Sequence, residues 1–131
     1  MIVQGVTITN SRIVDGTVIT QNLLVYLDAN NSTSYPGSGT SVYDLSGNNY
    51  THTLTNAPYT VLSGVKCFDC TTSGVITVNG TGPTLPITGF TYIAWARMNS
   101  SSATYRTLWR TQPDDHPLLI AINTDTLGMW D

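Results

Sequence analysis

Cys67 and Cys70 have the C-x-x-C spacing of a redox or zinc-binding pair. A zinc site needs a second pair of ligands, and the chain has only two histidines, His52 and His116. On a strand, residues three apart point to opposite faces, a poor geometry for a disulfide. The expectation is two reduced, structurally ordinary thiols that hold no metal. Asp114, Asp115 and His116 precede Pro117 and bring two carboxylates together with an imidazole. That set could bind a metal or begin acid–base chemistry. Between two strand patterns the same residues also make a good turn, and a turn is expected there. No Gly-x-Ser-x-Gly elbow supports a serine nucleophile.

The elements that must carry these groups are strands. The 131 residues suit one domain, large enough to bury a core without a staple. Only 10% of the residues are charged, well below the usual quarter. All eight acidic residues are Asp, and Lys66 is the only lysine. Good helix formers for exposed faces are therefore scarce, while Thr, Ser, Asn and Gly suit strands and turns. The net charge of −3 opposes nucleic-acid binding. Arg97, Arg106 and Arg110 form no basic stripe. No apolar run is long enough to span a bilayer, and no signal peptide is read at the N-terminus.

Along the chain, residues 1–21 contain two β-prone runs, with Asp15 and Gly16 marking a hairpin turn inside the second. They read either as a first hairpin of the domain or as an arm that adds strands to a neighbouring subunit. A buried strand is expected over Leu23–Leu27, and a short one over Val42–Asp44. Further strands are expected near 51–55, 59–62, 65–70 and 74–79, each ended by Gly, Pro or Asn. Phe90–Met98 is apolar on both faces and reads as a central strand with Trp95 in the core. Thr104–Thr111, Leu118–Ile122 and Leu127–Trp130 complete the set. Short strands at this spacing indicate an all-β, antiparallel β-sandwich or jelly roll.

Four stretches then occur in order: LVYLDA from Leu24 to Ala29, SYPGSGT from Ser34 to Thr40, VYDLSGNN from Val42 to Asn49, and TLTN from Thr53 to Asn56. They resemble the opening of concanavalin A-like, laminin G-type domains of viral and phage fibre, capsid-attached and surface proteins. FTYIAWA from Phe90 to Ala96 resembles the buried Trp strand of that family. YRTLWR from Tyr105 to Arg110 and LGMW from Leu127 to Trp130 resemble the strands that follow. The resemblance covers about residues 22–131 and is most specific from Tyr35 to Asn49. It implies a concanavalin A-like sandwich over 22–131 with an attachment segment at 1–21. The family's sandwich continues for more strands, so the expected fold is incomplete at the C-terminus unless a partner or a longer polypeptide completes it. Residues 67–70 read CFDC where the family commonly has an aromatic-Asp-Gly stretch.

The resemblance also implies sites. Sugar binding in such a domain would use aromatic faces, and Tyr35, Tyr43, Tyr50 and Trp109 are the candidates. No cofactor is required. Calcium is the one ion that related domains bind through Asp carboxylates and loop carbonyls, with Asp28, Asp44 and Asn48 as the candidate ligands. Turn chemistry explains the same three residues. Glycosidases of the lectin-like type use closely spaced Glu residues, and this chain has no Glu, so no enzyme is expected. Asn-x-Ser/Thr at Asn30, Asn31, Asn49, Asn79 and Asn99 is attributed to composition.

The expected function is a capsid-decorating or fibre-type virion protein, displayed on the particle surface and partnered by other virion proteins and by copies of itself. The alternative is a carbohydrate-binding adhesion module for host glycans. Neither reading involves nucleic acid or insertion into a membrane. The composition makes a direct prediction: circular dichroism will show an antiparallel β spectrum with less than about a quarter helix, and a larger helical fraction would contradict it.

Overall fold

The computed structural model describes residues 22–84, 89, 91–97, 105–109, 118–121 and 126–128. The chain divides into two compact units, Met1–Arg97 and Met98–Asp131. Every regular element among the described residues is a strand. The boundary expected at residue 21, with the arm before it, lies outside the described residues.

The first unit contains β1 (Ser41–Tyr43), β2 (Thr51–Thr55), β3 (Tyr59–Leu62), β4 (Val65–Phe68) and β5 (Val75–Val78). β2 is the middle strand of an antiparallel sheet ordered β1-β2-β5. Its alternation places His52 and Leu54 in the interior and its threonines on the other face. Val42 sits directly across from His52, and Ile76 across from Leu54. This row forms the core face of the sheet. Thr77, Thr53 and Ser41 line the opposite face in register.

β3 and β4 form a separate hairpin. Ser63 and Gly64 both have positive φ, 52° and 82°, as a two-residue type I′ loop requires. The hairpin contributes Phe68, fully buried, to the same core as Leu27, Ala29, Tyr35, Val42, Leu54 and Ala57. Tyr35 and Phe68 meet edge to face, with centroids 5.1 Å apart, and Tyr59 lies 5.0 Å from Tyr35. Edge-to-face aromatic contacts are favourable beyond the area they bury. Gly74 precedes β5 where a Cβ would stand 2.6 Å from both the Asn56 carbonyl oxygen and the Cys70 Cα. Only glycine fits where these backbones meet.

The second unit contains β6 (Tyr105–Trp109), β7 (Leu118–Ala121) and β8 (Thr126–Gly128), antiparallel in that order. The β6–β7 register shifts between Thr107 and Trp109.

Two sequence expectations need correction. Residues 23–27 are not a strand of a sheet. Leu23 and Leu27 are nonetheless buried, and side-chain hydrogen bonds hold the segment in place of a ladder. Residues 91–97 carry no strand, and Trp95 is 65% exposed rather than in the core. In that stretch Tyr92 takes the sheltered position, and burial pushes its phenol up to about 12. An apolar pattern on both faces did not distinguish a central strand from an irregular segment with one sheltered ring.

These placements predict opposite outcomes for two aromatic truncations. Phe68→Ala should cost about 3–5 kcal/mol, as for a fully buried ring. Trp95→Ala should stay within about 0.5 kcal/mol of the parent, as for an exposed surface position. Urea unfolding of the two variants checks this, and a reversed order would contradict the core described here.

Candidate functional site

The run from Tyr35 to Asn49 encloses a cluster of polar side chains. Asp44 follows β1 and turns its carboxylate toward the segment before the sheet. Its Oδ1 accepts hydrogen bonds from the Tyr26 N–H at 2.8 Å and the Ser46 N–H at 3.0 Å. Its Oδ2 is paired with the Ser46 hydroxyl. The Leu45 N–H donates to the Tyr26 carbonyl at 2.8 Å, so Tyr26 is gripped through both of its backbone groups. The Asn48 side-chain amide donates to the carbonyls of Leu23 and Leu24 at 2.9 and 3.1 Å. Gly47, with φ of 96°, gives the loop the turn that brings Asn48 back.

A second group lies nearby. Ser34 is completely buried, and its hydroxyl donates to the Tyr43 carbonyl at 2.8 Å and accepts from the Asp28 N–H at 3.1 Å. The Ser34 carbonyl accepts the Tyr43 N–H at 2.8 Å. Asp28 caps its own turn, with Oδ1 accepting from the Asn30 N–H at 2.8 Å and Oδ2 from the Tyr26 hydroxyl at 3.3 Å.

This geometry decides how well the calcium candidates fit. Asp44 presents its carboxylate to N–H and O–H donors, where a cation would meet their positive ends. Asn48 directs its NH2 group, not its carbonyl, into the loop. Asp28 is occupied by its own turn and by Tyr26. Hard cations need converging oxygen atoms, and this donor set does not supply them. Among the described residues no three His, Cys, Asp or Glu side chains gather as metal ligands. Asp28, Asp44 and Asn48 are structural clasps.

The sugar-binding candidates are dispersed. Tyr35 is 4% exposed, and its hydroxyl donates to the Gly39 carbonyl at 2.8 Å. Burial and the neighbouring Tyr59 push its phenol upward. It is a core residue and offers no face to a ligand. Tyr43 is 46% exposed on β1. Tyr50 is half-buried and faces Asp44 across the ladder, so the pleat sends it to the side opposite Tyr43. Trp109 is half-buried in the second unit. Tyr35, Tyr43 and Tyr50 therefore make no common stacking platform.

The cysteines also take structural positions. Cys67 is buried on β4, and Cys70 is half-buried just beyond the strand, both as free thiols. Burial first, and with it the Asp69 carboxylate, raises the Cys70 thiol above its usual value. That favours the protonated, unreactive form. The turn expected at residues 114–117 lies outside the described residues.

His52 was considered in the sequence only as an incomplete zinc ligand, yet it is the most unusual polar residue of the core. It is 6% exposed on the middle strand, between Val42 and Val78, and its Nδ1 has no hydrogen-bond partner. The period-two pattern of THTLT, which aligns His52 with Leu54, was the signal for its burial. Burial holds the imidazole below its usual value of 6.5, while Asp44 and the Val42 backbone oppose that shift without reversing it.

Comparison with protein-family models, curated proteins and solved structures yields no match to this chain.

His52 generates a pH prediction. The unfolded imidazole takes up a proton near 6.5, whereas the folded one resists until lower pH. Across that interval the unfolded state binds more protons, so stability falls as pH falls. The melting temperature should drop on acidification from about pH 7.5 to about pH 5, before most carboxylates titrate. His52→Gln should flatten this step. An equal acid loss in the variant would place the titration elsewhere.

Proposed function

We propose that the chain is a structural display protein of a virus or phage particle, capsid-decorating or fibre-type, built on a lectin-like sandwich. The observation that carries this reading is the use made of the family-like run. Tyr35, Asp44, Ser46 and Asn48, the residues with the most chemical capacity there, direct their polar groups into the chain itself. Such a run specifies a scaffold and leaves little for turnover. The uncharged, Thr-rich outer face of the β1-β2-β5 sheet suits a surface exposed on a particle. The sandwich itself and the attachment role of residues 1–21 belong to this proposal and rest on the family resemblance.

A second reading, a glycan-binding module, draws on exposed Tyr43 and Trp95. Exposed rings can stack on sugar faces, although fold analogy alone is a weak warrant for function.

Two measurements separate these readings. Antibody against the chain should decorate intact particles from the source in immunogold images, and the chain should copurify with them at a fixed ratio. A glycan array should give no selective signal. Selective glycan binding abolished by Tyr43→Ala or Trp95→Ala, without particle labelling, would favour the second reading and contradict the first.

A further inference from the structure

The two outer edges of the β1-β2-β5 sheet are treated very differently. Ladder phase can be read from three bonds: Leu54 N–H to the Thr40 carbonyl, Asp44 N–H to the Tyr50 carbonyl, and Asn79 N–H to the Thr51 carbonyl. With the observed registers, even-numbered residues of β2 bond to β1 and odd-numbered ones to β5. On β1, Tyr43 therefore points its N–H and C=O away from β2, and Ser34 takes both. At Tyr43 that edge is capped. On β5, Ile76 and Val78 point theirs outward, and among the described residues no strand lies there. β5 also lacks the usual guards of an open edge: it has no charge, no proline and no bulge.

We propose that β5 is a self-association edge, pairing antiparallel with the β5 of a second copy of this chain. The register follows from the phase. Outward-facing residues must meet as hydrogen-bonded pairs. The arrangement that uses both of them sets Ile76 against Val78 of the second copy, and Val78 against its Ile76. A two-fold axis then passes beside Thr77, so the two Thr77 residues face each other on the outer side, a favourable cross-strand pair.

The half-buried Ile76 and Val78 side chains are extended on the core side by their counterparts. The chain carries a net charge of −3, but none of it lies on β5, so self-pairing sets no like charges opposite each other. An isologous contact of this kind closes on itself as a dimer and does not propagate into a filament. The inference is independent of whether the chain decorates a particle or binds a glycan.

The test uses the full chain and two complementary surface variants. Wild-type protein should show a concentration-dependent monomer–dimer equilibrium by sedimentation. Thr77→Lys and Thr77→Glu should each be monomeric, because the axis sets identical charges face to face. Mixing the two should restore a dimer containing one copy of each. Val78→Pro removes an outward N–H that the chain's own ladder does not use, and it should also abolish the dimer while the β spectrum persists. A wild-type protein that stays monomeric up to its solubility limit overturns the proposal. So does a dimer that survives both charge variants and Val78→Pro, or a mixture that fails to re-form.

Discussion

The Asp44 carboxylate joins two stretches of chain that no β-ladder connects. The segment from Leu23 to Ala29 supplies Leu27 and Ala29 to the core, yet it belongs to no sheet. Its position is fixed because Asp44 Oδ1 receives the Tyr26 N–H and Leu45 donates to the Tyr26 carbonyl. A hydrogen bond to a charged acceptor contributes about 1.5–3 kcal/mol, more than a neutral one. Asn48 extends the grip upstream to the carbonyls of Leu24 and Leu23, and Ser34 extends it downstream from Asp28 to β1. With that segment in place, Tyr35 reaches Phe68 and Tyr59, and the three-stranded sheet and the β3–β4 hairpin share one interior.

This constraint bears on function. An acidic loop rich in Asn and Ser looks, by composition, like a place for a cation. Its geometry directs those donors and acceptors at the protein's own backbone. The same economy caps the β1 edge at Tyr43 through Ser34, whereas the outward groups of β5 meet no strand among the described residues. In the β1-β2-β5 sheet, what faces outward among the described residues is an uncharged face with exposed Tyr43 and the open edge of β5. These are materials for contact between surfaces.

How much of this was legible beforehand depends on the kind of signal. β1 to β5 stand close to where turn residues and β-branched runs placed them, because both signals are local. Leu23–Leu27 was correctly read as buried and wrongly read as a strand, because hydrophobicity reports burial and not hydrogen-bond partners. Trp95 failed for a related reason: an apolar stretch does not state which ring is covered, and Tyr92 is the sheltered one. At the candidate site, the sequence offers Asp28, Asp44 and Asn48 either as cation ligands or as turn residues, and the structure shows each of them hydrogen-bonded to the chain's own backbone. Whether Asp44 faces a cation or the Tyr26 amide depends on a contact eighteen residues away in sequence, which no local pattern encodes. His52 was overlooked because a histidine alternating with leucine looks like an ordinary polar interruption until its burial is known.

The most direct test of the account is amide hydrogen exchange on Asp44→Ala beside the parent. The parent should show the Tyr26, Leu45 and Ser46 amides protected together with the β2 amides. In Asp44→Ala, protection at Tyr26 and Ser46 should be lost first, and Leu45 should follow as the 23–29 segment detaches. The β3–β4 hairpin should keep more of its own ladder protection. If the Tyr26 and Leu45 amides stay as protected in the variant as in the parent, Asp44 does not hold the segment and the central claim is wrong.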